Sequence, residues 1–145
     1  FKETDVRDMG RGASGVIGMR LKKGDRVVGM GVIKTDPDKI KDYQVLSVTA
    51  YGYGKRTNLS QYKVQNRGGF GIKTAKLTEK TGEIVNAFIV NRKTMADKDL
   101  IVMSINGQVI RIPFSSVQTS SRATQGVHLM RFKEDSDQVV GITWL

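Results

Sequence analysis

Hydrophobic positions along the chain fall in short, largely β-branched runs that are separated by glycine. Residues 46–50 and 101–105 form two such runs, and each is followed by a glycine, Gly52 or Gly107, and then by a second run containing arginine. A run, a glycine turn and a second run are typical of a β-hairpin. Apolar residues do not recur at helical spacing. The pattern therefore predicts an all-β protein.

The same elements return at a regular period along the chain. A glycine followed by a strand-like segment occurs at Gly15, Gly71 and Gly126, at intervals of 56 and 55 positions, and Gly107 lies 55 positions after Gly52. Each repeat is predicted to contribute about four short strands, a blade-like sheet that buries its apolar face only against a neighbouring blade. We predict one domain, 1–145, with repeats at roughly 7–62, 63–117 and an incomplete 118–145.

The charge of the chain favours a polyanionic partner. Its 145 residues include 24 lysines and arginines against 14 acidic residues, a formal net charge of +10, while 39% of the residues are hydrophobic. That apolar fraction is enough for a globular core, and the apolar runs are too short for a membrane span. A net charge of this size is typical of proteins that bind nucleic acid or another polyanion.

The residue types that catalytic and cofactor sites commonly use are scarce in this chain. Cysteine is absent and His128 is the only histidine, so thiolate sites and sites with two histidines cannot form. Residues 10–15 match the G-x-G-x-x-G pattern, but a strand-like segment follows them where a dinucleotide site needs a helix. We interpret them as a loop between blades. The sequence predicts no enzyme activity for this chain alone, no cofactor and no metal site.

Four motifs together resemble a known family. They are RDMGRGASGVIGMRLKKGDRVVGM at 7–30, YGYGKRTNLSQY at 51–62, SSRATQGVHLMRF at 120–132 and DQVVG at 137–141. In this order and spacing they resemble the family of C-terminal DNA-wrapping domains found in the DNA gyrase A subunit, from about Arg7 to Ile142. The resemblance implies a β-pinwheel, a propeller-like ring of six blades of which this chain supplies about half.

The resemblance also implies a function and partners. Members of the family wrap duplex DNA around a basic rim and so support negative supercoiling by a bacterial type IIA topoisomerase. The expected partners are double-stranded DNA, the remainder of the gyrase A subunit, and the gyrase B subunit, in the bacterial cytoplasm with the nucleoid. The parent complex is an ATP-dependent topoisomerase, whereas the wrapping domain itself is non-catalytic. The related domain of topoisomerase IV is the near alternative.

One motif departs from the family pattern. The family's basic box is a glutamine followed by two basic residues, two glycines, a basic residue and a glycine. The nearest match is residues 65–71, where Asn66 and Phe70 replace two of its three cations. We interpret this string as a degenerate copy that belongs to a later blade. Whether this half of the ring wraps DNA unaided therefore stays open.

Basic residues recur at matched positions of the repeats. Strand alternation places Arg20 on the face opposite Ile17 and Met19, and its equivalents are Lys76 and Arg131. Repeated cations neutralise phosphates and release counterions, which gives strong, salt-dependent binding without base readout. The predicted DNA-binding residues, taken from these strands, the hairpins and the adjoining loops, are Arg7, Arg11, Arg20, Lys55, Arg56, Lys63, Arg67, Lys73, Lys76, Arg111, Arg122 and Arg131.

Two other interpretations remain open at this point. Exposed cations on strands also serve only to keep sheet edges soluble, and a propeller that binds a protein partner would show the same strand pattern. We expect Arg56 and Arg111 to lie at exposed strand ends. Reversing their charge together should then weaken DNA binding without unfolding the protein.

Overall fold

The structure is a computed structural model that describes residues 1–33 and 36–145. These residues form two compact units, one of Phe1–Arg26 with Tyr62–Ile72 and the other of Val27–Gln61 with Lys73–Leu145. We describe each unit by itself. The repeat boundaries stay a prediction, since this division follows spatial contacts and not the sequence period.

All strands described lie in the second unit. They are β1 (Tyr43–Thr49), β2 (Tyr53–Asn58), β3 (Ile84–Asn91), β4 (Asp99–Ser104), β5 (Val109–Pro113), β6 (Val127–His128) and β7 (Val139–Trp144). Short 3₁₀ segments occur at Glu3–Asp5, Pro37–Asp42, Leu59–Gln61 and Phe114–Ser116. The described residues contain no α-helix, so the predicted all-β class is confirmed. In residues 1–33 and 36–145 no helix has the length and apolarity to span a membrane.

The strands form two antiparallel sheets, each built on one predicted hairpin. The first has the order β3-β1-β2-β6 and the second has the order β5-β4-β7. Gly52 joins β1 to β2 with φ +77°, and Gly107 follows β4 with φ +82°. A positive φ costs glycine nothing and other residues about 1–2 kcal/mol. Both predicted turn glycines are thus confirmed.

The two sheets repeat each other in detail. β3 pairs with β1 and β7 pairs with β4, and in both pairs the register shifts near the end of the hairpin strand. The shift lies between Val48 and Thr49 in the first sheet and between Met103 and Ser104 in the second. These two sites are separated by one sequence repeat, so the sequence period corresponds to a structural period.

Side chains from both sheets share one core. Leu46, Val48, Leu100 and Val102 are fully buried, and they belong to one cluster whose other buried members are Val90, Phe114, Val117, Met130, Val139 and Ile142. The Trp144 ring packs edge-on against Phe114, with 5.9 Å between ring centroids. Neither sheet covers its own apolar face, so the two depend on each other for stability.

The strands predicted at residues 15–21 and 71–77 do not form, which corrects the expectation of four strands in every repeat. Only the third copy is a strand, β6, and it pairs with β2, the hairpin strand two repeats earlier. Without a ladder partner, Ile17, Met19 and Leu21 remain exposed, so the predicted alternation of faces is not seen there.

The first unit is held by loop pairing. Met19 makes an isolated parallel bridge with Gly69. The Gly68 amide donates to the Gly18 carbonyl at 2.8 Å, and the Arg20 amide donates to the Gly69 carbonyl at 2.9 Å. The degenerate basic box at 65–71 is therefore a partner of the 17–20 segment.

Candidate nucleic-acid interface

Residues 118–126, here called the Arg122 loop, run along the outer edge of β2. The Arg56 amide donates to the Gln118 carbonyl at 2.9 Å, and the Ser120 amide donates to the Arg56 carbonyl at 2.8 Å. The chain then leaves β2 and returns at β6, where Val127 pairs with Gly54. The loop is thus anchored at both ends on one strand.

Lys55 lies beneath this loop. The prediction made it a phosphate contact, but its residue is only 1% exposed. Its ammonium donates to the carbonyls of Ser121, Arg122 and Thr124 at 2.7, 2.8 and 2.9 Å. An ammonium has three N–H donors, and these carbonyls engage all of them. We therefore leave Lys55 out of the proposed DNA contacts.

Arg56 also turns inward, on the opposite face of β2. It lies within the strand and not at its end. Its Nε donates to the Val117 carbonyl at 2.7 Å, and its guanidinium carbon lies 4.5 Å from the centroid of the Phe114 ring. The expectation of an exposed Arg56 at a strand end is wrong. Its contacts are those of a residue that packs the hairpin against residues 114–117.

Three predicted cations meet around the Arg122 loop. The Arg122 guanidinium, half-buried, donates to the Lys73 carbonyl at 2.8 Å. The Lys76 amide donates to the Thr124 carbonyl at 3.1 Å. The side chains of Lys73 and Lys76 are exposed. The structure therefore joins a segment with two exposed lysines to a loop that contains a third cation.

The first unit repeats this arrangement. The Arg67 guanidinium donates to the Ile17 carbonyl at 2.8 Å, as Arg122 does to Lys73. Arg20 donates its amide to the carbonyl of Gly69, as Lys76 does to Thr124. The corresponding residues are separated by 55 or 56 positions. The recurrence of cations predicted from the sequence is thus matched by recurrent backbone contacts within each unit.

The other predicted residues have separate surroundings. Arg111 is exposed and pairs with Asp99, with 2.6 Å between Nε and the carboxylate. It lies within β5 and not at the strand end where we expected it. Arg131 is exposed and lines an open groove of about 490 Å³ with Lys80 and His128. The remaining predicted cations lie in the first unit and are exposed. They are Arg7, Arg11 and Lys63.

Sequence reasoning missed two features of this surface. It did not select Lys80, whose ammonium lies 6.0 Å from the centroid of the Tyr53 ring in the same groove. It also did not select the loop carbonyls that bind Lys55. No cation occurs one repeat before or after Lys80, so the search for recurring cations did not find it. The acceptors of Lys55 lie at least 66 positions later in the chain, which no local pattern indicates.

Two groups of the second unit, Lys55 and Asp42, have lowered pKa values. Burial, together with the charge of the Arg122 guanidinium, lowers the pKa of Lys55 to about 8. At neutral pH a protonated ammonium therefore still lies under the loop. A hydrogen bond from Lys93 at 2.7 Å lowers the pKa of Asp42, and Arg92 adds to the effect. These two cations are engaged by a carboxylate and are not part of the proposed contact set.

The described residues give no indication of a metal centre. Across residues 1–33 and 36–145, no group of three or more His, Asp or Glu is placed to hold a metal ion. His128 stacks on Tyr53, with 3.9 Å between ring centroids. What the site offers chemically is a set of cations and backbone amides that suit an anionic polymer.

Comparison of sequences identifies similar proteins. The family profile described as "DNA gyrase C-terminal domain, beta-propeller" matches residues 1–34, 43–91 and 98–143. The DNA gyrase A subunit of Staphylococcus epidermidis strain ATCC 12228 is 43% identical over 131 residues, or 90% of this chain. Its counterpart in Staphylococcus aureus strain MRSA252 is 40% identical over 135 residues, or 93% of this chain. The chain spans 14% of the length of these relatives.

Two solved structures share the fold. A structure of the DNA gyrase A C-terminal domain has a TM-score of 0.79 and 29% identity, over 97% of this chain and 44% of that one. A crystal structure of the C-terminal domain of DNA topoisomerase IV has a TM-score of 0.82 over 99% of this chain and 42% of that one. Its identity is 21%, so this second likeness supports the fold alone.

Proposed function

The chain belongs to the family of DNA gyrase C-terminal, beta-propeller domains, and from this membership we propose that it binds and wraps duplex DNA. The proposed partners are double-stranded DNA, the remainder of the gyrase A subunit, and the gyrase B subunit. In this proposal the chain is non-catalytic, and the chemistry of the topoisomerase lies in other parts of the complex. Its place of action is the bacterial cytoplasm, with the nucleoid.

One observation carries the proposal. In each unit a loop arginine is bound to the backbone of a segment that also presents an exposed cation, Arg20 in one unit and Lys76 in the other. Regular repetition of cations suits the regular spacing of phosphates, which occur once per about 1.7 Å of the duplex axis. Glycines beside the cations, such as Gly10 and Gly12 next to Arg11, allow backbone amides to approach phosphate as further donors.

The proposed mode of recognition is contact with the DNA backbone. The described residues contain no α-helix that could enter a major groove. Sequence preference should therefore come from DNA deformability and not from direct base contacts. Smooth bending of a 20–30 bp site by 40–90° costs about 1–6 kcal/mol, and the cation contacts must offset this cost.

The similarity favours gyrase over topoisomerase IV. The curated relatives that are 40–43% identical are A subunits of gyrase, whereas the likeness to topoisomerase IV carries 21% identity. We therefore propose that the wrap supports negative supercoiling by presenting a positively wrapped segment for strand passage.

Ligation of nicked DNA circles tests the wrapping directly. The chain is bound to a nicked plasmid, the nick is sealed by ligase, and the protein is removed before the topoisomers are separated. A positive wrap should shift the distribution towards positive linking differences, increasingly so with the ratio of protein to DNA. Binding without any change in linking number would contradict the wrapping proposal.

A matched pair of variants controls for net charge. The double variant Lys73→Gln, Lys76→Gln should reduce the topological shift. The double variant Lys39→Gln, Lys41→Gln removes the same charge from an exposed segment that the proposal does not use, and it should leave the shift unchanged. Equal losses in both variants would favour a general charge effect. Weak binding that does not depend on salt would instead favour a propeller that binds a protein.

A further inference from the structure

Lys55 combines three properties that are rarely found together. It is a lysine, it is 1% exposed, and the acceptors of its ammonium are the uncharged carbonyls of Ser121, Arg122 and Thr124, with the Thr124 hydroxyl a fourth at 3.3 Å. Burying an ammonium is costly unless its donors are well satisfied. Hydrogen bonds that involve a charged group are about twice as strong as neutral ones. The charged hydrogen bonds of Lys55 therefore stabilise the backbone of the loop.

The second sheet indicates that the hairpin itself does not need this lysine. The equivalent strand position in the next repeat is Ile110. Ile110 is half-buried and packs against the apolar core. A strand of this sheet therefore forms with an isoleucine at this position. The lysine occurs in the sheet in which the Arg122 loop lies along the hairpin edge.

Lys55 binds the loop between its two attachments to β2. Residues 118–120 are held by pairing with Arg56, and the chain pairs again with β2 only at Val127. Between these points the Lys55 ammonium binds three of the carbonyls. The Ser121 carbonyl also accepts from the Thr124 hydroxyl at 2.8 Å, and the Thr124 carbonyl also accepts from the Lys76 amide at 3.1 Å. Lys55 adds charged hydrogen bonds, which are about twice as strong as neutral ones, and it joins three loop carbonyls at one point.

Arg122 is fixed from two directions by this arrangement. Lys55 binds its backbone carbonyl at 2.8 Å. The guanidinium of Arg122 donates to the Lys73 carbonyl at 2.8 Å, which ties the loop to the segment with the exposed lysines. A change in the loop backbone would therefore displace Arg122 and release this contact with residue 73.

We propose that Lys55 is a positioning residue of the DNA interface, which holds the Arg122 loop in the conformation that binds phosphate without contacting DNA itself. This inference rests on the proposed function, since it assumes that the loop binds DNA. It differs from that proposal in assigning to a cation an internal role. The role depends on donors and not on charge at the surface.

The test uses three single variants and one double variant. Lys55→Met keeps the length and apolar stem but removes every donor, and Lys55→Gln keeps two N–H donors without the charge. Arg122→Gln removes the loop cation alone, and the double variant combines Lys55→Met with Arg122→Gln. Binding of each to a 40 bp duplex is measured by fluorescence anisotropy, and amide hydrogen exchange is followed by mass spectrometry.

The positioning role predicts a specific pattern. Lys55→Met should lower affinity to within about twofold of Arg122→Gln, and the double variant should bind no more weakly than either, because both changes disable one loop. Lys55→Gln should bind more tightly than Lys55→Met. Exchange should rise in residues 121–124 of Lys55→Met and Lys55→Gln, and remain unchanged in β1 and β4.

Other patterns would overturn the inference. Multiplied losses in the double variant, with Gln and Met equally weak at position 55, would identify a direct phosphate contact. Wild-type affinity of Lys55→Met would show that the loop does not need its support, while DNA binding by the domain would stand. Exchange that rises throughout β1 and β4 in both Lys55 variants would indicate a general stabilising role. If the unmodified chain binds no DNA, the proposed function itself fails.

Discussion

Lys55 and Arg56 are consecutive in β2, and their side chains leave the strand on opposite faces. Both end on backbone carbonyls of residues 115–124. Local sequence gave no way to predict this, since their acceptors lie 59 to 69 positions later. Alternation along a strand predicts which side chains share a face, but not what covers that face. By contrast, the exposure of Arg20, Lys76 and Arg131 could be predicted from the repeat.

Arg56 and Arg111 provide a matched test at the residue scale. Arg56→Gln should lower the free energy of unfolding by about 1–3 kcal/mol, because it removes a charged hydrogen bond to the carbonyl of the buried residue Val117. Arg111→Gln should lower it by less than about 1 kcal/mol, since its pair with Asp99 is exposed. Urea unfolding followed by the fluorescence of Trp144, the single tryptophan, measures both.

The variant that loses more stability should not be the one that changes DNA binding more. Arg111→Gln removes an exposed cation and should make the salt dependence of binding less steep by about 0.9 in slope if it contacts one phosphate. Arg56→Gln, measured below its unfolding transition, should leave that slope unchanged. Equal stability of the two variants would contradict the inward placement of Arg56.

At the scale of elements, the hairpins were predictable, whereas the strands expected at 15–21 and 71–77 do not form. Glycine at a fixed place between two β-branched runs indicates a turn because few other residues adopt positive φ. Gly52 and Gly107 have that backbone. The strands expected at 15–21 and 71–77 failed because a strand also needs a ladder partner, and the strand pattern alone does not supply one. Only β6 finds its hairpin within the described residues.

The two turn glycines should differ in their tolerance of a side chain. A Cβ on Gly52 would overlap the Met130 carbonyl oxygen, whereas a Cβ on Gly107 would meet nothing within 4 Å. Gly107→Ala should therefore lower the free energy of unfolding by about 1–2 kcal/mol, the cost of positive φ alone. Gly52→Ala adds an overlap with backbone and should lower it by about 2–5 kcal/mol.

Chemical denaturation of the two alanine variants under identical conditions measures this difference. Each has the same change in residue type and in unfolded-chain entropy, so the difference reports the contact with residue 130. Similar losses in both would show that the β1–β2 turn does not approach Met130 as closely as the structure has it.

At the scale of the whole molecule, the sheets of the second unit pair strands that lie far apart in the sequence. β1 pairs with β3, and β2 pairs with β6, which lies in the third repeat. The Arg122 loop likewise contacts β2 and residues 73–76, which lie far from it in the sequence. The sequence period therefore predicted the kind of fold and the recurrence of cations. It could not predict which cations the loops would enclose.

In the proposed function, the chain binds duplex DNA through exposed cations that contact phosphate. The salt dependence of binding to a duplex of unrelated sequence, with and without the Lys73→Gln, Lys76→Gln change, tests it most directly. If the four predicted contact residues that are exposed in the second unit (Lys73, Lys76, Arg111 and Arg131) each bind one phosphate, together they should contribute about −3.6 to the slope of the logarithm of affinity against the logarithm of salt. The double variant should lose about half of that contribution. A slope near zero, or one unaltered in the double variant, would contradict the account.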